Sequence, residues 1–156
     1  MKNFKKAFSM IELVFVIVVI GILAGVAIPK LAVTRNDAKI VKAKTTVASI
    51  RNALGTQRQK LILSGKFNCV NPALSSDSNY IFEKFKYTGD DTDNCPTDDL
   101  VLNYPLRVCE DDNSRGCWVK SDDKYRYRLP DDGVVDFKVE KNRFVCQSGD
   151  ICRKFE

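Results

Sequence analysis

The chain has 156 residues, with 25 Lys and Arg against 20 Asp and Glu, a formal charge of +5, and no histidine. The lack of histidine removes the commonest general base and the commonest metal ligand, which argues against an enzyme and against a metal centre without excluding either. The length suits one domain, but an apolar segment near the start sets one part of the chain apart from the rest.

That segment, residues 8–28, reads FSMIELVFVIVVIGILAGVAI. A helix of this length covers about 30 Å, which matches the hydrocarbon core of a bilayer. A lone spanning segment must be helical because its backbone has to pair internally. The basic residues before it, Lys2, Lys5 and Lys6, favour the cytoplasmic side, so the remainder is expected outside. An ordinary secretory signal peptide cut near 24–27 is the alternative.

One carboxylate, Glu12, interrupts the apolar segment. Such a group costs ~2.5 to 3.5 kcal/mol at the centre of a bilayer, and less near a helix end, so it usually has a partner. The spacing from Ser9 to Glu12 is that of a capping box, which explains it within one chain. Gly21 and Gly25 form a G-x-x-x-G pair, typical of closely packed helices but equally a chance spacing of small residues.

After Pro29 the sequence becomes polar but keeps a helical period. We predict one helix from about Ser9 to Leu63, kinked or loosened at Pro29 and ended by Ser64 and Gly65. Apolar residues at steps of three and four form a narrow stripe, with one polar member: Ile40, Ala43, Val47, Ile50, Leu54, Gln57 and Leu61.

The rest of the chain reads as loops and then strands. Residues 66–100 are predicted to be irregular, apart from the aromatic-rich 79–88, which fits a short strand or a helical turn. Segments 101–109 and 117–120 flank a turn composition and predict a hairpin. Residues 125–129 and 134–140 meet across PDDG, and RFVC follows Asn142. We expect an antiparallel meander whose apolar face, including Trp118, is covered by the helical stripe.

All six cysteines follow the apolar segment, which indicates an oxidising compartment and disulfides. None forms a C-x-x-C pair, so neither a zinc nor a redox site is predicted. Six cysteines allow fifteen pairings. Short loops favour two of them and leave the third: Cys109 with Cys117, Cys146 with Cys152, and Cys69 with Cys95.

Two polar clusters are candidate binding sites. The acidic run GDDTDN at 89–94 has the composition of a calcium loop but lacks its spacing, so solvated turn carboxylates are favoured and no metal is predicted. Lys124, Arg126 and Arg128 alternate onto one strand face, and this face and the basic face of the helix fit either DNA phosphates or a plain charged surface exposed to solvent.

The N-terminal residues KKA followed by FSMIELVFVIVVIGILAGVAIPKL resemble the signal of type IV pilins and type II secretion pseudopilins. The resemblance implies cleavage between Ala7 and Phe8 by a prepilin peptidase, and N-methylation of Phe8. It implies that Glu12 pairs with the amino group of an adjacent subunit, and that Pro29 lies at the family's helix kink. The chain departs from the family pattern at Ala7, where most members have glycine, and in its six cysteines.

The sequence therefore predicts an α+β fold in four parts: a leader at 1–7, a transmembrane and assembly helix at 8–29, its amphipathic continuation at 30–65, and a disulfide-stapled β-rich head at 66–156. We expect a non-enzymatic filament subunit without cofactor, a pseudopilin or pilin, anchored once in the bacterial inner membrane lipid with its head in the periplasm. The alternatives are a minor pilin with an adhesive or DNA-binding head, and a single-pass binding module that does not polymerise.

Overall fold

The computed structural model describes residues 8–77, 79–87, 94–121, 123–131 and 133–155. The chain forms two compact units, Met1–Asp37 and Ala38–Glu156. A single α-helix, α1, runs Met10–Leu63 and contributes to both units. The helix predicted from Ser9 to Leu63 is thus confirmed to within one residue.

In the first unit, α1 contains a stretch long and apolar enough to cross a membrane. This stretch is Met10–Ile28, 19 residues with a mean hydropathy of 3.0, and none of its side chains is buried. The backbone stays helical through Pro29. Because proline has no N–H, the carbonyl of Gly25 lacks its usual partner one turn later. The apolar surface on all sides is typical of a helix that packs against lipid or other helices.

In the second unit, α1 buries the stripe of mainly apolar residues that was predicted from their spacing of three and four. Val47, Ile50 and Leu54 are fully buried, and the polar member Gln57 is buried as well. Its side-chain amide donor is satisfied, because Nε2 donates to the Tyr87 hydroxyl at 2.8 Å and to Asp99 Oδ2 at 2.7 Å. The single polar residue in the stripe therefore carries no unpaired donor into the core.

Within the described residues, strands follow α1 in two antiparallel sheets of order β1-β2-β3 and β4-β5-β6-β7. The second sheet is the predicted meander, and the segment at 79–88 contains a strand rather than a helical turn. The strands are β1 Ala73–Ser76, β2 Tyr80–Lys86, β3 Leu106–Arg107, β4 Cys117–Ser121, β5 Lys124–Arg128, β6 Val134–Glu140 and β7 Arg143–Cys146. A 3₁₀ turn, Phe67–Cys69, and a 3₁₀ helix, Gly149–Phe155, complete the unit.

Two predictions for this part of the chain were wrong. Residues 101–109 do not form a hairpin with 117–120, because β3 pairs with β2 in the other sheet. Val108 makes only an isolated parallel bridge to Trp118. The connection between the two segments is longer than a tight hairpin turn, so it does not force them to pair with each other. Instead, β3 pairs with the edge of β2. The strand β1 also lies in a segment predicted to be irregular.

The two sheets and α1 share one aromatic core. Phe82 meets Trp118 edge to face at 5.2 Å between ring centres, and Phe137 stacks on Phe144 at 5.0 Å. Tyr125 joins the two sheets, since its hydroxyl accepts from the Leu74 N–H at 2.9 Å and donates to the Leu74 carbonyl at 2.8 Å. The predicted core position of Trp118 is confirmed.

The structure contains three disulfides: Cys109–Cys117 and Cys146–Cys152, which loop length favoured, and Cys69–Cys95, the pair that remained. The last of these closes the longest loop, with a sequence separation of 26. Cys69 and Cys95 pack beside Leu61, near the end of α1. This disulfide therefore fixes the segment that follows α1 against the C-terminal end of the helix.

Removing Cys69–Cys95 is expected to cost more stability than removing Cys146–Cys152. The double variant C69A/C95A should lose about 3 kcal/mol of unfolding free energy and C146A/C152A about 2 kcal/mol, because a longer loop constrains the unfolded chain more. Denaturant unfolding of the full oxidised chain in detergent micelles measures both. Equal losses, or the reverse order, would contradict this account.

Candidate functional site

The N-terminus of α1 is capped by Ser9. Its hydroxyl oxygen accepts the Glu12 N–H at 3.3 Å, and its carbonyl accepts the Leu13 N–H at 3.2 Å. One half of the predicted capping box is therefore present, and it satisfies a backbone donor that the first turn of a helix leaves free.

The carboxylate of Glu12 does not complete the box. Within the described residues it forms no hydrogen bond and no ion pair, and the residue is exposed. Its neighbours Ile11 and Leu13 are exposed apolar side chains. The cap accounts for Ser9, but the described residues supply no partner for the carboxylate charge that lies in the apolar segment.

The structure describes only some of the other residues that were predicted to be functional in this segment. Phe8 is exposed at the start of the described part, whereas Ala7 lies outside the described residues. A Cβ added at Gly21 or Gly25 would meet nothing within 4 Å, so packing within this chain does not demand glycine at either position. The roles of Ala7, Phe8 and Pro29 in processing and kinking remain predictions.

The cations predicted for DNA are largely paired with carboxylates. Arg126 donates to both oxygens of Asp136, at 2.7 and 2.9 Å. Arg128 donates to the Asp111 carbonyl at 2.6 Å and to Asp112 at 2.9 Å. These contacts neutralise two of the three positions, and DNA binding stays a prediction without a specific contact in its favour.

No group of three potential metal-binding side chains gathers anywhere in the part of the chain that the structure describes. Residues 89–93 of the acidic run lie outside that part. The calcium alternative therefore stays a prediction.

The sequence analysis missed a groove between α1 and β7, which we call the edge groove. Arg51, Gly55 and Arg58 form its helical wall, and Arg143 lies on the opposite wall. Phe144, Val145 and the Cys146–Cys152 disulfide complete the lining. The seven-residue step from Arg51 to Arg58 places both on one helix face. What stands opposite that face depends on the strand order, which periodicity does not reveal.

Comparison with known proteins gives two matches. A family model described as a prokaryotic N-terminal methylation motif matches residues 2–28. A type IV major alpha-pilin of Moraxella bovis is 33% identical over 105 residues, which is 67% of this chain and 60% of the relative. The chain thus spans less than two thirds of that relative's length. No solved structure matches the chain significantly.

The substitution D136N is expected to make folding less sensitive to acid. The hydrogen bonds from Arg126 lower the pKa of Asp136 below its ordinary 3.8 in the folded chain. The contribution of these hydrogen bonds to the free energy of unfolding is therefore complete above about pH 4, and it is lost as the pH falls through the lower pKa of the folded chain.

Denaturant unfolding of the full chain in micelles, near neutral pH and near about pH 3, measures this difference. Between the two conditions, D136N should lose less unfolding free energy than the wild type. D150N is the matched control, because Asp150 lies 3.8 Å from Arg153 and its side chain is 97% exposed. An acid-induced loss in D136N as large as in the wild type would refute the role of the pair.

Proposed function

The chain belongs to the type IV pilin superfamily, and from that membership we propose that it is a structural, non-enzymatic subunit of a type IV filament assembled from the bacterial inner membrane. The matched methylation motif and the pilin relative support this role. The whole-protein activity of that relative is not carried over, because only 60% of its length is matched.

One observation carries the proposal: the carboxylate of Glu12 lies in an exposed apolar helix without a partner among the described residues. A charge in such a setting is favourable when a second molecule supplies the counter-charge. Cleavage between Ala7 and Phe8 would create an ammonium at Phe8, in the same apolar layer. N-methylation leaves that ammonium positive. In the proposed filament, Glu12 of one subunit pairs with Phe8 of its neighbour.

The same helix then serves in two settings. Before assembly, Met10–Ile28 lies in the membrane, where its exposed apolar side chains meet lipid. During assembly, the same side chains pack against the helices of other subunits, and the neutralised Glu12 fixes their register. The second unit stays outside the membrane, on the periplasmic side, since the basic residues precede the apolar segment.

Two filament types fit this mechanism, a pilus and a type II secretion pseudopilus. A deletion strain distinguishes them, because loss of surface motility or DNA uptake follows from the first and loss of secreted enzymes from the second. A single-pass binding module is the candidate outside this class, and its leader would remain attached.

The mature protein is expected to begin at methylated Phe8. The prepilin motif directs cleavage after Ala7, so intact mass and N-terminal sequencing of the chain from its native membrane should show loss of residues 1–7 and one added methyl group. A chain that still begins at Met1 would make the segment a static anchor. A chain that begins beyond Ala24 would make it a secretory signal.

Replacing the carboxylate is expected to block assembly and spare processing. E12A should be cleaved and membrane-bound but yield at least about tenfold fewer filaments, because the neighbour's ammonium then lacks its counter-charge. S9A is the matched control: it removes the cap and keeps the carboxylate, so filament yield should change little. Filaments of E12A at wild-type yield would refute the pairing, and loss in S9A alone would assign the motif to helix capping.

A further inference from the structure

The edge groove exists because β7 is the last strand of its sheet. Within the described residues no strand pairs with the outer edge of β7, and α1 faces it instead. Arg51 Nε donates to the Phe144 carbonyl at 3.2 Å, across the groove. This hydrogen bond connects α1 to β7, and the groove is the space that remains between them.

The turn before β7 fixes the far end of the groove. Lys141 and Asn142 both have positive φ, 48° and 60°, the conformation of the tight turn that joins β6 to β7. The amide Nδ2 of Asn142 donates to the Leu54 carbonyl at 3.1 Å. Because this turn is tied to α1, the edge groove is a preformed feature of the second unit.

The charge of the groove is unbalanced. Its lining includes three arginines, Arg51, Arg58 and Arg143, and no carboxylate. Among the described residues none of the three forms an ion pair with a carboxylate, although Arg143 lies opposite Glu140 in the register of β6 and β7. Other arginines of the second unit do form such a pair: Arg107 with Glu110, Arg126 with Asp136, Arg128 with Asp112, and Arg153 with Asp150. Unpaired guanidinium groups beside an apolar floor favour a carboxylate ligand.

A matching acidic feature lies at the other edge of the same sheet. The turn formed by Glu110, Asp111 and Asp112, which we call the acidic turn, precedes β4, whereas the groove borders β7. The side chains of Glu110 and Asp112 are 82% and 102% exposed. The ion pair between Arg107 and Glu110 is exposed on both sides, so exchanging it for a new partner costs little. The carboxylate of Asp112 holds Arg128 through Oδ1 and has a second oxygen that can accept a new donor.

The acidic turn is also preformed. Asp111 Oδ1 accepts the Asn113 N–H at 2.9 Å and the Ser114 hydroxyl at 2.9 Å. The Cys109–Cys117 disulfide closes the loop that carries it. Docking this turn therefore requires little ordering, which reduces the entropic cost of association.

We propose that the edge groove of one subunit binds the acidic turn of a second copy of this chain. Complementary patches at opposite edges of one sheet make a heterologous contact, which repeats from copy to copy and builds an open helical array when the rotation does not close. The proposal rests on the proposed filament function and deepens it: it names the contact that the parts outside the membrane make.

A second copy fits the groove better than nucleic acid does. Binding to a phosphate backbone needs cations spread along a track, whereas these arginines surround one short groove with an apolar floor of Phe144 and Val145. Both halves of the contact are present on the same chain. A nucleic acid ligand is an outcome of the test below.

The test is a charge swap in the full chain, expressed in its native host. Arg58 and Arg143 form no hydrogen bond among the described residues, so R58E/R143E alters the groove without removing a fold contact. It should yield about tenfold fewer filaments, because like charges then face each other. E110K/D112K should fail in the same way. Combining all four substitutions should restore filaments, since the two charges are exchanged.

The matched control is R153E/D150K, which reverses an exposed pair outside both surfaces and should leave filament yield unchanged. A photo-crosslinking residue at position 55, in the groove wall, should join wild-type filament subunits through peptides that contain residues 110–112. Normal assembly of R58E/R143E, absence of rescue by the four substitutions, or crosslinks to other peptides or to DNA would overturn the proposal.

Failure of the filament function itself looks different. In that case the wild-type chain forms no filaments and keeps its leader. If only the docking proposal fails, the wild type is cleaved and assembles, and the charge-reversed variants assemble equally well. The N-terminal mass of each variant therefore separates the two failures.

Discussion

The buried stripe of α1 is the interaction on which the second unit depends. Val47, Ile50 and Leu54 lie fully buried in the core that also contains Phe82 and Phe137. Each such side chain contributes about 1.5 to 3 kcal/mol when it leaves water. Neither sheet is large enough to enclose a core by itself, so both use the helix as a common wall. The disulfides add stability to a unit whose core is small.

The same helix explains why its two stretches behave so differently. From Met10 to Ile28 the apolar surface surrounds the helix, and none of the described residues covers it. In the second unit the apolar surface narrows to one stripe, and the chain covers it with its own sheets. Because the fold leaves the apolar surface of Met10–Ile28 exposed, that surface is suited to contact with lipid or with the same helix of other copies. Glu12 is informative because its charge is costly in an apolar setting and becomes favourable when a second molecule supplies the counter-charge.

Local features were predictable from the sequence, and long-range partners were not. The period of three and four identified the buried stripe, and PDDG identified the turn between β5 and β6. The short loops favoured the disulfide pairs that the structure contains. The strand β3 was assigned the wrong partner because periodicity marks a strand without naming its neighbour. The contact between Tyr125 and Leu74 spans 51 residues and left no local signal. The edge groove was missed for the same reason.

The charges of the second unit follow from this arrangement. Where strands lie side by side, opposite charges face each other and neutralise, as Arg126 and Asp136 do between β5 and β6. Arg143, on the edge strand β7, lies opposite Glu140 of β6, but among the described residues the two form no ion pair, and Glu140 accepts from the Gln147 amide at 2.8 Å instead. The acidic turn before β4 is the counterpart of this arginine at the opposite edge. A sheet with unlike charges at its two edges carries complementary surfaces, and the proposed contact between subunits would bring the two surfaces together.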